Sequence, residues 1–207
     1  MCIRDSNHTL YENYKELMAK CLELHKILAQ SQLSLHLLEE RVIRQEIVTH
    51  NGQLLWRLTN IKERMDAAKG GYCTAIYSPL FYTSDYGYKL CAKLYFNGDG
   101  SGLNTHLSLF FVVLRGDYDA LLTWPFRQKV AFSLMDQSEA RRHHVDAFKP
   151  NPNSASFKRP ESDMNVASGL PQFCLLEKLT SPDFEFIKNN CIFIKVIVDT
   201  SDLSLLI

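Results

Sequence analysis

The sequence predicts an antiparallel β-sandwich preceded by an α-helical coiled coil. Three observations lead to this fold class: a long apolar heptad pattern without Pro or Gly, a series of short strand patterns separated by turn residues, and one strand that is apolar on both faces. The chain has 207 residues, of which 46% are apolar, and this is enough for one domain with its own core and an appendage.

The N-terminal segment Leu10–Gln45 contains good helix formers and neither Pro nor Gly. Apolar residues recur there in alternating steps of four and three residues, as in a heptad repeat. We therefore predict a coiled coil over residues 7–50, and its additional apolar positions suit three or more strands better than two. A single amphipathic helix packed on its own domain is the alternative. The predicted trimerisation positions are Leu17, Cys21, Leu24, Leu28, Leu35, Leu38 and Val42.

A second domain is predicted to begin at Asn51, because Asn51 and Gly52 form a helix-ending pair and the apolar period then changes toward two. A short helix is expected over Ile61–Lys69, and the sandwich should extend over residues 51–203. The strand His106–Leu114 is apolar on both faces, which is typical of a strand buried between two layers. The predicted strands are Thr74–Ser78, Tyr88–Phe96, His106–Leu114, Gln128–Met135, Gln172–Lys178 and Ile192–Asp199.

The stretch from Asp146 to Gly169 is predicted to be a long loop, because Pro150, Pro152 and Pro160 interrupt helices and central strands. Loops of this length are usually functional or disordered, and apolar residues such as Phe148 favour a docked loop. Serine hydroxyls and aromatic rings together are suited to hold one polar and one apolar side chain of a peptide. An ordinary surface loop is the alternative, and composition alone favours it.

Several short motifs suggest chemistry that their context does not support. Asn97–Gly102 resembles a calcium loop, but Ser108 stands where an EF-hand needs Glu, so we predict a hairpin turn. His143 and His144 lack a spaced third ligand, and no metal or other cofactor is expected. We find no Ser/His/Asp set, Cys/His set or carboxylate pair that indicates a catalytic site, so the chain is not expected to be an enzyme.

Charge, cysteines and targeting patterns restrict the compartment and the partners. Lys+Arg and Asp+Glu balance at 23 each, which gives no reason to expect nucleic acid or an anionic membrane as partner. The six cysteines form no Cys-x-x-Cys pair, so free thiols in a reducing cytoplasmic compartment are expected. No apolar run approaches the ~20 residues of a membrane span, and residues 1–6 resemble sequencing-adapter read-through, which we interpret as a non-native leader.

A set of ordered motifs gives the chain a specific family resemblance. These motifs are Asn51–Gly52, Leu55–Trp56, Phe81–Thr83, Gly87–Lys89, Asn97–Gly100, Thr105–Phe111, Trp124–Phe126, Phe148–Ser154, Met164–Gly169 and Phe193–Asp199. In this combination the chain resembles the C-terminal domain of the tumour-necrosis-factor-receptor-associated factors, the TRAF proteins, from about Asn51 to Leu203, and a coiled coil precedes that domain in the family.

The resemblance implies an eight-stranded antiparallel sandwich, the MATH fold, held as a parallel trimer by the coil. It also implies a cytoplasmic adaptor that binds short motifs of the Pro-x-Gln-x-Ser/Thr or Pro-x-Gln-Glu type in the tails of clustered TNF-receptor-family receptors and related adaptors. Such peptides bind by strand addition at a sheet edge. The implied peptide-binding residues are Lys93, Tyr95, Asp99, Phe110, Phe148, Ser154, Ala155, Ser156, Ala167, Ser168 and Gly169.

The resemblance assigns three roles to these residues. Ser154–Ser156 clasp a Gln or Glu side chain of the peptide. Phe110 and Phe148 form a pocket for an apolar side chain, with the help of Ala167–Gly169, and the polar group around Lys93 meets the far end of the peptide.

Two departures from the family pattern affect the expected preference. Ala155 replaces the middle of three serines, which should weaken the grip on Gln by ~1 kcal/mol. Lys93 replaces an Arg found in many relatives, so a bidentate contact with an acidic residue becomes a point-charge contact. We expect a relaxed preference at the Gln position.

Other functional classes fit the sequence less well. Ubiquitin-ligase activity of the kind found in full-length relatives requires a RING domain with paired Cys and His ligands, which this chain lacks. A substrate-recognition module of a ubiquitin-ligase assembly is the alternative, but it requires a separate recruiting domain. A carbohydrate-binding sandwich would need secretion, and a hydrolase would need a recognisable nucleophile.

Overall fold

The structure is a computed structural model that describes residues 13–28, 31, 48–72 and 75–203. The chain divides into two compact units, Met1–Glu46 and Ile47–Ile207, and each is described by itself. In the first unit, residues 13–28 form helix α1. In the second, helix α2 spans Ile61–Lys69 as predicted, and a single turn of helix, α3, spans Leu176–Leu179.

Nine strands are present in the described part of the second unit. They pair antiparallel in two sheets, and together these confirm the predicted antiparallel sandwich. The strands are β1 (Gln53–Thr59), β2 (Ile76–Tyr77), β3 (Phe81–Tyr82), β4 (Lys89–Tyr95), β5 (His106–Leu114), β6 (Val130–Leu134), β7 (His144–Phe148), β8 (Ser168–Leu175) and β9 (Cys191–Val198).

One sheet has four strands in the order β1-β9-β6-β7, and the other has five, with β2-β4-β5-β8 in line and β3 also paired to β4. Strands β2 and β3 pair with successive parts of β4, since Ile76 lies opposite Leu94 and Phe81 lies opposite Leu90. The two short strands therefore share one edge position, and the sandwich has eight strand positions.

The core lies between the two sheets and is built from alternating residues of each strand. In β1, Leu54, Trp56 and Leu58 are buried, and the residues between them are exposed, which confirms the change to period two. Strand β5 is buried on both faces, as predicted, because Ser108 and Val112 are inaccessible although they do not point into the core.

Several boundaries predicted from the sequence are wrong. The predicted loop starts and ends in strands, because Asp146 and Phe148 belong to β7 while Ser168 and Gly169 belong to β8. Strand β7 was missed because it contains polar residues at positions where a strand pattern needs apolar ones. The predicted strand over Gln172–Lys178 misses the start of β8, where Gly and Pro argue against a strand, and it extends wrongly into helix α3, which begins at Leu176. Both strands lie at sheet edges, where such residues are tolerated. The connection between β7 and β8 remains long.

The helix end predicted at Asn51 is also wrong. Val48–His50 are not helical, and Thr49 pairs with Phe81 and accepts a hydrogen bond of 2.7 Å from the Tyr82 amide. Gly52 has a φ of 71° and turns the chain into β1. A glycine is therefore required here by a turn of the sandwich and not by the end of a helix. The predicted boundary after residue 50 thus lies four residues beyond the division at Glu46.

A buried carboxylate, Asp136, closes the end of the four-stranded sheet just after β6. Its residue is only 3% exposed, and its oxygens accept hydrogen bonds from the amides of Arg142 (3.0 Å) and Glu185 (2.9 Å) and from the amide and hydroxyl of Ser138 (3.1 and 2.7 Å). Burial raises the pKa of this carboxyl, but the four donors outweigh burial and hold the pKa at about 2. Asp136 thereby ties two surface loops to the sheet.

Candidate functional site

A row of side chains crosses the outer face of the five-stranded sheet, on the side away from the core. Tyr77 of β2 lies opposite Lys93 of β4, Lys93 lies opposite Phe110 of β5, and Phe110 lies opposite Gly169 of β8. Residues that pair directly project from the same face of a sheet. Tyr95 also projects there, and its ring meets the edge of the Phe110 ring at 5.6 Å between centroids. We call these five residues the outer row.

The cationic end of the outer row is enclosed by aromatic rings. The Lys93 Nζ atom lies 5.2 Å from the centroid of the Tyr77 ring and 5.0 Å from that of the Tyr95 ring. Partial burial lowers the pKa of Lys93. Hydrogen-bonding and charge interactions with the side chains of Tyr95 and Tyr77 raise it by more, so the pKa lies above its usual value. Lys93 therefore carries a full positive charge at neutral pH.

The glycine end of the outer row is a point of close backbone approach. A Cβ atom on Gly169 would lie 2.6 Å from the Leu109 carbonyl oxygen and 2.8 Å from the Phe110 Cα atom. Only glycine allows β8 to approach β5 this closely. The glycine also leaves the surface open beside the half-buried ring of Phe110.

Asp99 lies in the turn between β4 and β5, which confirms the hairpin predicted for Asn97–Gly102. The Asp99 amide donates a hydrogen bond of 2.9 Å to the Ser108 hydroxyl, which in turn donates to the Pro171 carbonyl in an irregular part of β8. A Cβ atom on Gly102 would lie 1.9 Å from the same carbonyl oxygen. The buried hydroxyl thus fixes Asp99 against β8.

The predicted site residues on β8 lie at the free edge of the five-stranded sheet. Among the strands that the structure describes, β8 pairs only with β5, so alternate backbone groups of Ser168–Leu170 point away from the sheet. Gly169 lies on the outer face, whereas Ser168 pairs with the core-facing Phe111 and projects toward the inner side. Ala167, which is half-buried, leads into this edge.

The serine segment Ser154–Ser156 forms a compact turn. Ser154 caps a 3-10 turn over Ala155–Phe157, because its Oγ atom accepts a hydrogen bond of 3.3 Å from the Ser156 amide. That bond uses a lone pair of Ser154 Oγ and leaves its proton available to a ligand. Ser154 and Ser156 are half-buried, and Ala155 is exposed.

Two residues attach the serine segment to the sandwich. The buried ring of Phe157 stacks on Phe126 at 6.4 Å between centroids. Asn165 donates from its side chain to the carbonyls of Ser156 (3.1 Å) and Lys158 (2.7 Å), and its own amide donates to Val113 of β5 (2.9 Å). The serine segment is therefore held beside the start of β8.

Phe148 lies on the inner side of this edge. Its ring is 6.4 Å from Phe111, 5.8 Å from Phe132 and 6.2 Å from Phe157 between centroids, so it joins the aromatic core. The structure does not place the Phe148 ring against Phe110, because Phe110 occupies the opposite face of its strand. The predicted residues thus divide between the two sides of the β8 edge.

The predicted trimerisation positions fall partly on α1. Leu17, Cys21, Leu24 and Leu28 lie on this helix, and all four are exposed. Further apolar side chains on α1, including Leu22 and Ile27, are exposed as well. The remaining predicted positions, Leu35, Leu38 and Val42, lie outside the described residues.

Sequence reasoning missed three residues that shape the site: Tyr77, Ser108 and Asn165. Tyr77 lies in a strand of two residues. The Ser108 hydroxyl bonds to Pro171 and the Asn165 backbone amide bonds to Val113, and both of these partners lie far along the chain. Ser108 and Asn165 are polar residues next to apolar strand positions, and this pattern could have indicated a structural role. The sequence does not identify their hydrogen-bond partners.

The described residues form neither a metal site nor a membrane-spanning helix. Within residues 13–28, 31, 48–72 and 75–203, no group of three His, Cys, Asp or Glu side chains is arranged to hold a metal ion. His144 instead contacts the Phe173 carbonyl through Nε2 at 2.5 Å and Lys178 Nζ through Nδ1 at 3.0 Å. None of the helices in the described part of the chain has the length and apolar character needed to cross a bilayer.

Known proteins resemble this chain in sequence and in fold. A family model described as the TRAF/meprin MATH domain matches residues 73–195. The chain is 50% identical over 190 residues to TNF receptor-associated factor 1 of Mus musculus, covering 92% of this chain and 46% of that protein. It is 44% identical over 192 residues to human TNF receptor-associated factor 2, covering 93% of this chain and 38% of that protein.

A solved structure extends the comparison to the fold. TRAF5 of Notothenia coriiceps superposes with a TM-score of 0.83 at 36% identity, covering 98% of this chain and 99% of that chain. The chain spans less than half the length of the two curated relatives described above. With a matching domain model, relatives close to half identical and a superposable structure, the chain belongs to the TNF receptor-associated factor family.

Proposed function

We propose that this chain is the receptor-binding part of a trimeric cytoplasmic signalling adaptor. It binds short extended motifs of the Pro-x-Gln-x-Ser/Thr type in the tails of clustered TNF-receptor-family receptors. The observation that carries the proposal is the open edge of β8, which has predicted binding residues on both of its sides. The names of the relatives, TNF receptor-associated factors 1 and 2, support the receptor class.

An extended peptide matches the geometry of this edge. A strand that pairs with Ser168–Leu170 directs alternate side chains to the two faces of the sheet. One set meets the outer row at Phe110, and the other set meets Ser168, Phe148 and the serine segment. Main-chain hydrogen bonds then supply affinity for any extended peptide, and the side-chain contacts supply selectivity.

The serine segment suits the amide or carboxylate of a Gln or Glu side chain. Ser154 retains a hydroxyl proton to donate, as described above, and among the described residues the Ser156 hydroxyl has no hydrogen-bond partner. Both hydroxyls lie in a turn fixed by Asn165 and Phe157. Ala155 contributes only a methyl group, which is why the Gln position is expected to be read less strictly.

Trimerisation explains why a coil accompanies the sandwich. Isolated helices of a few turns are marginal in water, so a helix with exposed Leu17, Leu24 and Leu28 gains stability when it associates. One short peptide binds weakly, but three linked sites that face a clustered receptor raise the apparent affinity by ~10²–10⁴. The adaptor thereby responds to receptor clustering.

Calorimetric titration with a Pro-x-Gln-x-Thr peptide tests the binding site. The unmodified chain should bind weakly, and Ser154→Ala and Phe148→Ala should each reduce the affinity. Ser162→Ala is the matched control for the hydroxyl, since Ser162 lies in the same connection but bonds to Met164. Equal affinity in all variants, or no binding to any peptide of this type, would contradict the proposal.

Light scattering tests the coil. Leu24→Lys combined with Leu28→Lys should give a monomer whose affinity for a single peptide is unchanged and whose affinity for a trivalent peptide falls by ~10²–10⁴. Glu23→Ala combined with Lys26→Ala changes two exposed polar residues of the same helix and should leave the trimer intact. Full avidity in the Lys variant would contradict the trimeric adaptor.

A further inference from the structure

We infer that Tyr77 is a positioning residue which, together with Tyr95, fixes the Lys93 ammonium for its contact with the acidic peptide residue that the family resemblance assigns to this end of the site. The inference rests on the proposed function, because it names a determinant of peptide choice at the same site. It adds to that site an edge-strand residue, Tyr77, that lies on the far side of β4 from the β8 edge.

The geometry restrains a side chain that is normally flexible. A lysine ammonium is a point charge at the end of a four-carbon stem, and its contact with a carboxylate is poorly directed unless the stem is held. Here the ammonium lies about equally far from two ring centroids, 5.2 Å from Tyr77 and 5.0 Å from Tyr95. Cross-strand pairing places Tyr77 directly opposite Lys93, so the contact follows from the register.

Within the described part of the chain, the restrained charge forms no ion pair with an acidic side chain. None of the ion pairs among the described residues includes Lys93. These pairs are His50–Asp85, Arg115–Asp163, Lys188–Glu185 and Lys20–Glu16. The rings attract the ammonium but do not neutralise it. A half-buried cation that is fixed in place and lacks a counter-charge favours an anionic ligand group.

The position of this charge specifies which part of a peptide it meets. Lys93 pairs with Phe110, which pairs with Gly169 at the β8 edge. A peptide side chain directed onto the outer face therefore meets Phe110 first, and a longer acidic side chain reaches Lys93 beyond it. The expected ligand is a carboxylate of Glu or Asp near the end of an extended peptide.

Tyr86 provides a matched control for the mutation. Tyr77 is 49% exposed and Tyr86 is 50% exposed, so removal of either ring changes a similar amount of surface. Tyr86 contacts Tyr118 edge-on at 5.0 Å between centroids, away from Lys93. Tyr77→Phe is the conservative variant, because it keeps the ring that attracts the cation and removes only the hydroxyl.

The test compares two peptides that differ only in Glu or Gln at the position facing Lys93. Tyr77→Ala should weaken binding of the Glu peptide about threefold and leave the Gln peptide unchanged. Tyr77→Phe should restore most of the selectivity, and Tyr86→Ala should behave as the unmodified chain. An equal loss for both peptides in Tyr77→Ala, or no loss for either, would overturn the inference.

A measurement on the free protein separates this inference from the proposed function. The rings of Tyr77 and Tyr95 shift the NMR signals of the Lys93 methylene protons next to the ammonium, and Tyr77→Ala should reduce that shift while Tyr86→Ala should not. Unchanged signals in Tyr77→Ala would refute the positioning role. If the unmodified chain binds neither peptide, the proposed function and the selectivity fail together, and the NMR signals alone decide the positioning role.

Discussion

The outer faces of the two sheets differ in what they leave accessible. On the four-stranded sheet, β1 presents Gln53, Leu55 and Arg57 to solvent in a simple alternation with buried residues. On the five-stranded sheet, β5 is buried on both faces, and the accessible side chains of the outer face include the aromatic and cationic members of the outer row. One outer face of the sandwich thus presents side chains of mixed polarity, and the other presents a cation held between aromatic rings.

The difference separates residues that the fold requires from residues that only the proposed binding site requires. In β1, the inward residues pack in the core, and the outward residues have no further role in holding the fold together. The strands that carry the outer row also supply core residues from their inner face, and on their outer face they hold a cation between two rings and bring Gly169 against Phe110. Mutations should therefore separate stability from binding according to the sheet they affect.

The largest expected effect is on stability, at the end of the four-stranded sheet. Asp136→Asn replaces an acceptor of four hydrogen bonds by a group that accepts fewer, and it should lower the free energy of unfolding by about 3 kcal/mol. Chemical denaturation measures this change. Peptide affinity should stay unchanged in the folded variant, and a loss of affinity would contradict the separation of the two sheets.

The same residue predicts a dependence of stability on pH. The pKa of Asp136 is about 2 in the folded protein, below its ordinary value of 3.8, so folding favours the ionised carboxylate. The stabilisation is complete above pH ~4 and is lost as the pH falls toward 2. Asp136→Asn should lack this part of the acid transition.

Phe110→Ala tests the outer row directly. Removing a central aromatic anchor should weaken peptide binding about 30-fold, or about 2 kcal/mol, with a smaller effect on stability because the ring is only half-buried. Leu55→Ala is the control on the other sheet, where Leu55 is 55% exposed, and it should not alter binding. Similar affinities of the two variants in calorimetry would remove the basis for the comparison.

Gly169→Ala should impair the close approach of β8 to β5. The added methyl group collides with the Leu109 carbonyl and with the backbone of Phe110, so we expect a stability loss of about 1–2 kcal/mol and weaker peptide binding. Gly70→Ala is the control, because its methyl group would meet first the exposed ring of Tyr72, which can turn aside. Thermal unfolding distinguishes the two variants, and equal stability would contradict the account.

The smallest predicted effect concerns Ala155. Ala155→Ser adds one hydroxyl to the exposed turn and should tighten binding of a Gln-containing peptide by ~1 kcal/mol, about fivefold. A peptide with Ala at the Gln position should show no gain. Identical titration curves for the unmodified chain and the variant would refute this prediction.

Local patterns within single strands were enough to predict the sandwich. Contacts between segments that are distant in the sequence could not be predicted from such patterns. The alternation of Leu54, Trp56 and Leu58 and the two-sided burial of β5 follow directly from local periodicity. Strand β7 and the start of β8 escaped prediction because edge strands tolerate polar residues, Gly and Pro.

The site residues divide in the same way. Family resemblance named Phe110, Lys93 and the serine segment, but register placed Tyr77 opposite Lys93, and no sequence pattern determines that pairing for a strand of two residues. For Phe148, the family resemblance suggested a shared pocket with Phe110. The structure instead places the Phe148 ring on the inner side of the β8 edge, against Phe111 and Phe132. Pairing register carries information that residue type alone does not.

The most direct test of the central claim is an NMR titration of the chain with a Pro-x-Gln-x-Thr peptide. The account predicts that the largest backbone shifts occur at Ser168–Leu170, with smaller shifts in the serine segment and at Phe110 and Lys93, and none at the outward residues of β1. Shifts concentrated on the four-stranded sheet, or an unperturbed β8 edge, would contradict the assignment of this edge as the peptide-binding site.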